Sequence, residues 1–435
     1  MKKLKQRENF SNRKKALSIV FFVILLDLIG FGIIIPILPF YVRSFGVSDV
    51  AIGLLAASYS LMQFVSAPFL GKWSDIWGRR PILIISLMGS SLAWFIFGIA
   101  EEVGSYNIIG GLLILFVARM FAGAMGGNIS TANAYIADIT TEEERPRYLG
   151  YIGAAFSVGF IIGPAIGGFL ATDYTIRIVD AILPEVIPIT AYSLPSFGAG
   201  LLSLLGMILC IFYLPESNKH GEVGKQKKGF ENLLEPLKNH SIRGVVIVSL
   251  VGAIAFSGVT VMFIPFIADV YGYGAATAGM ILTYIGVISA FSHGVICPKL
   301  IERYSSMKVA IGSSGGLMFA MVLMPFCPRV LNGNWIDPGV VTLLVVMGIL
   351  AISNASFNVS LSTLLSLAAR EDTQGASFGI FQSAGSLGRT MGPPLMAVLY
   401  TIAIWSPFVL GAIAFIPMVI LLARLPYKQT GKVNG

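Results

Sequence analysis

Three charged side chains, Asp27, Arg119 and Arg389, fall near the middle of long apolar runs, and Asp138 lies nearer the end of one. On insertion scales a charge at mid-bilayer costs roughly 2.5–3.5 kcal/mol, so such residues are rare and usually serve function. The proton affinity of a shielded carboxyl group depends on how near an opposite charge and water stand. Asp27 and Arg119 therefore fit two roles, a structural ion pair or a proton-responsive pair. Arg389 fits a bond to an anionic part of a solute, favouring anionic or zwitterionic substrates, or a bond to a kinked backbone.

A second group stands in a polar loop that reads Gly71-Lys72-Trp73-Ser74-Asp75-Ile76-Trp77-Gly78-Arg79-Arg80-Pro81. Glycine at each bend permits backbone angles that other residues resist. Asp75 is a fixed carboxylate suited to a helix N-terminus or an arginine. Arg79 and Arg80 suit headgroups or acidic residues at helix ends, and a basic loop that merely sets topology accounts for them as well. A third group is made of small residues: Gly159, Gly163 and Gly167 recur every four positions, a smooth ridge for a close helix crossing. Pro164 removes a backbone donor and bends a helix, and Gly168 follows. Polar or aromatic groups inside apolar runs are candidates for a solute cavity. They are Tyr59, Gln63, Asn128, Asn133 and Phe156 in the first half, and Phe263, Tyr284, Asn354, Asn358, Phe381, Gln382 and Arg389 in the second. An amide deep in lipid needs a partner, which another helix supplies as readily as a solute.

The 3 Cys and 3 His are scattered without ligand spacing, which supports neither a disulfide framework nor a metal site. No nucleotide-binding loop or catalytic triad stands out. The expectation is a protein without cofactor or metal that is not an enzyme.

The elements that position these groups are apolar helices. Of the 435 residues 55% are apolar and 12% charged, where a soluble protein carries about a quarter charged residues. The solvent for most of the surface is therefore a lipid bilayer. A net charge of +8 raises nucleic acid as a partner, but the Lys and Arg sit in short clusters between apolar runs, a topology signal that argues against it. Runs long enough to span, about 20 residues, fall at 17–42, 51–70, 81–100, 108–136, 148–171, 196–214, 243–268, 275–298, 308–327, 339–365, 375–400 and 404–424. The first is too long for a signal peptide and reads as a retained span. With twelve spans, almost all of the 30 Lys and Arg share one side. Arg43, Arg177 and Arg329 alone face the other, while Arg119 and Arg389 lie within spans. The positive-inside rule then places both termini in the cytoplasm.

The longest polar stretch divides the chain into a six-helix bundle at 1–214, a cytoplasmic linker at 215–242 and a second bundle at 243–435. The halves repeat one another. Gly159, Gly163 and Pro164 lie 229 positions before Gly388, Gly392 and Pro393, as do Glu142 before Glu371 and Gly150 before Gly379. Asp75 precedes Glu302 by 227. Arg389 has Phe160 as its counterpart, so symmetry does not require it. Duplicated six-span halves around a midplane site are typical of secondary transporters.

The loop at 71–81 resembles the G-x-x-x-D-x-x-G-R-[RK] signature of the major facilitator superfamily. Arg119-Met120-Phe121-Ala122-Gly123 is similar to its R-x-x-x-G motif. Gly159 through Gly163-Pro164-Ala165-Ile166-Gly167-Gly168 is similar to its antiporter motif, and span 1, with Leu26-Asp27 and Gly30 to Pro39, resembles the tetracycline-exporter-like branch of the drug/proton antiporters. The resemblance covers nearly the whole chain. It implies an all-α, twelve-helix membrane protein of two pseudo-symmetric bundles, with Asp27 and Arg119 in proton coupling. It also implies a cytoplasmic gate of Gly71, Asp75, Gly78, Arg79, Arg80 and Asp138. Tetracycline exporters carry a histidine in span 8 where this chain has Ser289, with His293 one turn away. The resulting expectation is a proton-coupled exporter of a small amphipathic solute in the cell membrane, functional as a monomer. A metabolite or nutrient transporter of the same fold and a transport-inactive receptor are the other readings.

Overall fold

No water meets the backbone inside a bilayer, so a spanning chain must satisfy its amides within helices or closed barrels. The computed structural model describes residues 2–141, 144–182, 189–217, 235–328, 338–369 and 374–426. Among these the secondary structure is helical, with no strand. Glu142 and Glu371 of the repeat, Arg329 and most of the 215–242 linker lie outside the described residues.

The chain divides into two compact units, Met1–Gly224 with Tyr273–Gly286, and Lys225–Gly272 with Val287–Gly435. The first unit contains α1 (Lys2–Ile34), α2 (Leu38–Ser44), α3 (Val50–Trp77), α4 (Arg79–Gly98), α5 (Ala100–Tyr106), α6 (Ile108–Met125), α7 (Asn128–Ile139), α8 (Arg145–Leu170), α9 (Asp173–Asp180) and α10 (Ser193–Tyr213). The second contains α11 (His240–Tyr271), the end of α12 (Ala275–Phe291), α13 (Cys297–Tyr304), α14 (Ser306–Leu323), α15 (Pro338–Ala368), α16 (Gln374–Ile402) and α17 (Ser406–Arg424). Among the described residues, 11 helical stretches are long and apolar enough to cross a membrane. The twelfth span is α16. Its 29 residues reach about 43 Å, but Ser, Gly and Gln in its first half, and Arg389 and Thr390 at its middle, lower its apolarity. The middle of the helix packs on α11 through Gly388 and Gly392, so it needs less lipid-like surface there.

Within the first unit a core on the basic-loop half joins α1 (Val20, Ile24, Leu28), α4 (Leu83, Leu87), α7 (Tyr135, Ile136), α8 (Ile152, Ala155) and α10 (Cys210, Leu214). Arg13 at the entry of span 1 donates to Glu144 Oε1 at 2.8 Å. Partial desolvation works against the Glu144 carboxylate, but Arg13 and the Thr141 bonds outweigh it and hold its pKa below the usual range. At the opposite end Tyr41 is fully buried. Its hydroxyl donates to Phe97 O at 3.0 Å and accepts from Glu101 N–H at 2.8 Å. Its ring stacks on Tyr192 at 4.6 Å, pinning α2 to α4, α5 and the entry of α10.

The repeat shows in how each unit packs internally. Gly159 and Gly163 of α8 abut Leu28, Ile29 and Gly32 of α1. Gly388 and Gly392 of α16 abut Leu250, Ala253, Ile254 and Ser257 of α11. Ser257 lies 225 positions after Gly32, so the offset grows from 225 in the first span through 227 at the loop to 229 in the fifth. Asp27 falls opposite Gly252 in this register, and its charge belongs to the first half alone.

The loop repeats its backbone as well. Gly78 (φ 101°, ψ 154°) caps the N-terminus of α4, and Ser305 (φ 72°, ψ 150°), 227 positions later, caps α14. That region is essentially reserved for glycine and costs other residues about 1–3 kcal/mol. Ser305→Gly is expected to stabilise the protein by about 1 kcal/mol after the added freedom of the unfolded chain is deducted. Thermal unfolding of the purified protein checks this, and an unchanged or lowered midpoint would show that the serine is not strained.

Candidate functional site

Two constellations emerge in the first unit. The first is built where α3 crosses α6 and α7. A Cβ on Gly123 would sit 2.3 Å from Tyr59 O, and one on Gly127 would sit 3.0 Å from the backbone of Ala67. Only glycine lets the helices approach this closely. The crossing places the Arg119 guanidinium over the rings of Tyr59 (4.6 Å), Phe31 (5.3 Å) and Trp94 (5.7 Å), a cation–π cage. Arg119 is 4% exposed, and its Nε and Nη1 have no hydrogen-bond partner. Asp27 is half-buried, and its Oδ2 accepts from Asn128 Nδ2 at 3.1 Å. Among the described ion pairs Asp27 and Arg119 are not joined. Of the two sequence readings, the structural ion pair is thus not seen. The neutral amide, not the guanidinium, holds the carboxyl group. Gln63 donates to Gly126 O at 3.1 Å, beside the Tyr59 hydroxyl. Phe156 sits apart, packed on the apolar core.

The second constellation is the loop and its neighbours. Arg79 is its hub. Nη1 reaches Asp75 Oδ1 at 2.5 Å and Ser74 Oγ at 2.6 Å, and Nε reaches Asp138 Oδ2 at 3.0 Å. Ser217 Oγ donates to the same Asp138 oxygen at 3.0 Å. The Arg79 and Arg80 N–H groups donate to Glu216 Oε1 and Oε2 at 2.9 and 3.1 Å, so a carboxylate caps the positive end of α4. Arg80 in turn donates to Cys210 O at 3.4 Å and Ile211 O at 2.5 Å, a cation on the last carbonyls of α10. A Cβ on Gly78 would lie 2.5 Å from Glu216 Oε2, so glycine there serves both the backbone angle and the seat of the carboxylate. Gly71 does not lie at a bend, as the sequence suggested. It is inside α3, which continues to Trp77, and a Cβ there would come no nearer than 3.7 Å to Ser130 Oγ.

Glu216, Ser217, Ser74, Phe31 and Trp94 were not singled out from sequence. Glu216 had one signal, an acid just after the apolar run that ends at Leu214. The cage rings had none, since aromatic residues in apolar spans are ordinary. In the second unit Asn358 Nδ2 donates to Asn354 O and Oδ1 at 2.8 and 3.1 Å. On α16 Phe381 is half-buried and Gln382 exposed. Arg389 is exposed too, its Nη2 donating to Ser386 Oγ at 2.9 Å.

The small-residue ridge has a partner on each of two faces. Gly159, Gly163 and Gly167 meet α1, where a Cβ on Gly163 would be 2.6 Å from Gly32 Cα and one on Gly167 would be 2.1 Å from Ile33 O. Gly168 meets Ala275 and Ala276, and the Pro164 carbonyl meets Gly279. Thr283 Oγ1 donates to Ile161 O at 3.2 Å.

Duplicated all-helical units of span-length helices, with charged groups inside the spans, are the architecture of a membrane transporter, not of an enzyme. The chain matches the Major Facilitator Superfamily over residues 20–352 and belongs to it. It is a multi-pass membrane protein of a family that moves small molecules. It is 29% identical to tetracycline resistance protein, class B, of Escherichia coli, over 96% of this chain and 97% of that one. It is 28% identical to multidrug resistance protein 1 of Bacillus subtilis (strain 168), over 90% and 91%. Among solved structures, a D-xylose-proton symporter superposes with a TM-score of 0.71 at 16% identity, over 95% of this chain and 98% of that chain.

Two outcomes follow from the packing and the caps. Gly163→Ala should cost about 1–3 kcal/mol by overpacking and lower the thermal midpoint. Gly153→Ala, with nothing within 4 Å, should leave it unchanged or raised, and equal behaviour of the two would refute the ridge. Glu216→Gln should weaken the α4 cap by about 1 kcal/mol, seen as faster hydrogen exchange at the Arg79 and Arg80 amides. Unaltered exchange would mean that the carboxylate is not the cap.

Proposed function

We propose that this protein exports a small amphipathic solute or drug across the cell membrane in exchange for protons, by alternating access. The observation that carries this reading is the state of Asp27. It is a carboxyl group in the middle of a span, held by the neutral Asn128 amide and not neutralised by the buried Arg119. A carboxyl group so placed is free to gain and lose a proton as water reaches it. The cage holds the Arg119 guanidinium among three rings, without an ion pair to Asp27. The Arg79 network with Asp75, Asp138 and Glu216 serves as the cytoplasmic gate, with both termini on that side. The ridge of Gly159, Gly163, Pro164, Gly167 and Gly168 serves as the packing surface that the conformational switch uses.

The energetics suffice for one proton per solute. The membrane potential supplies ~2.3 kcal/mol per charge per 100 mV, and each pH unit ~1.4 kcal/mol. The named relatives confer tetracycline and multidrug resistance, which supports an amphipathic drug-like solute. Arg389 bears no carboxylate partner among the described ion pairs and suits an anionic or zwitterionic group of the solute. The protein acts as a monomer in this reading.

The test is accumulation of a dye and drug panel in cells stripped of their own exporters. The parent should lower accumulation of at least one compound, and a protonophore or Asp27→Asn should abolish the effect. Export that survives Asp27→Asn would remove Asp27 from the coupling.

A further inference from the structure

The second unit has a shallow, widely open cavity of about 480 Å³ lined by His293 and Asn358, both exposed, and by Val359, Ser362, Thr363 and Ser366, all half-buried. That volume lies in the range of small-molecule sites, about 300–1,000 Å³. One wall is α15, where Asn354, Asn358, Ser362 and Ser366 recur every four residues and form a polar stripe on an otherwise apolar span. The other wall is a π-helical turn, Ser292–Ile296, between α12 and α13. Such turns insert a residue into a helix and are frequent at functional sites. Here the turn carries His293.

The hydrogen bonds of the lining groups fix what they can offer. His293 Nδ1 lies 2.8 Å from Ser289 O. A carbonyl only accepts, so Nδ1 carries the proton and Nε2 of the neutral ring is an acceptor. Asn358 commits its amide donors to Asn354 O and Oδ1, which leaves Oδ1 to accept. Thr363 Oγ1 donates to Val359 O at 2.8 Å and likewise retains acceptor capacity. His293, Asn358 and Thr363 thus present acceptors whose own donors are spent on the helix, and no Asp, Glu, Lys or Arg is among the lining residues.

We propose that this cavity is a solute site of the second unit, which takes an uncharged part of the solute that presents a hydroxyl or N–H donor to His293 Nε2. Asn358 and Thr363 accept further donors, and Val359 supplies an apolar wall. The site deepens the export reading and rests on it for the fate of the bound solute. It is lined by residues of the second unit alone.

The test uses a matched pair of probes, umbelliferone and its methyl ether, which differ in one phenolic donor. Binding to the purified full-length protein in lipid nanodiscs is measured by equilibrium dialysis at neutral pH. The parent should bind umbelliferone about threefold to tenfold more tightly than the ether, the worth of one neutral hydrogen bond. His293→Phe should erase that preference, and His293→Gln, whose amide oxygen reaches the Nε2 position, should restore part of it. An unchanged melting profile for His293→Gln guards against misfolding. No binding of umbelliferone by the parent, equal binding of both probes, or a preference that survives His293→Phe would each overturn the proposal. Asp27→Asn is run beside these in the export assay. Loss of export with the probe preference intact separates coupling from binding. Probe preference without any proton-driven export would sink the export reading and leave the site standing.

Discussion

At Gly32 and Gly163 the backbones of α1 and α8 meet with no side chain between them, and much of the first unit depends on that approach. Lipid gives helices no hydrophobic reason to associate, so close van der Waals contact must do it. The contact fixes the height of α1 against α8, and with it the level of Asp27, just beyond Leu28 where Gly159 touches. It also turns the other face of α8 outward, so that Pro164 and Gly168 meet the first turns of α12. Those turns cluster with the first unit because glycine and alanine on both helices allow them to.

Electrostatics is organised around helix ends. Glu216 sits at the positive end of α4 and Arg80 at the negative end of α10, so two neighbouring chain segments cap one another's helices in opposite senses. Arg79 then gathers Asp75 and Asp138 from α3 and α7. The loop is therefore a junction of four helices, and the start of the segment that leaves the first unit is part of it.

The architecture was legible because its signals are long. Apolar runs of span length, the bias of basic residues to one side and a 229-residue offset each extend over many positions. Ridge glycines were legible because a period of four is a property of one helix. What sequence left open was pairing across elements. Asp27 and Arg119 share a depth, yet Asn128 and three rings decide that they do not meet. Gly71 resembled a turn glycine because its neighbours are polar, but helix hydrogen bonding runs through it to Trp77. Glu216 was missed because its partners, two backbone amides, have no signature in residue type.

The loops that follow the second and eighth spans share a backbone turn but not its chemistry. Gly78 adopts that turn at ease with a carboxylate seated against it. Ser305 adopts the same turn under strain, and Ser306 and Met307 stand where Arg79 and Arg80 would be. After an ancestral duplication, the geometry of this corner was inherited twice, while the two arginines that follow the turn stand in the first half alone. The second copy keeps the shape of a turn whose two arginines it does not carry, so a duplicated backbone has outlasted the side chains that use it in the first half.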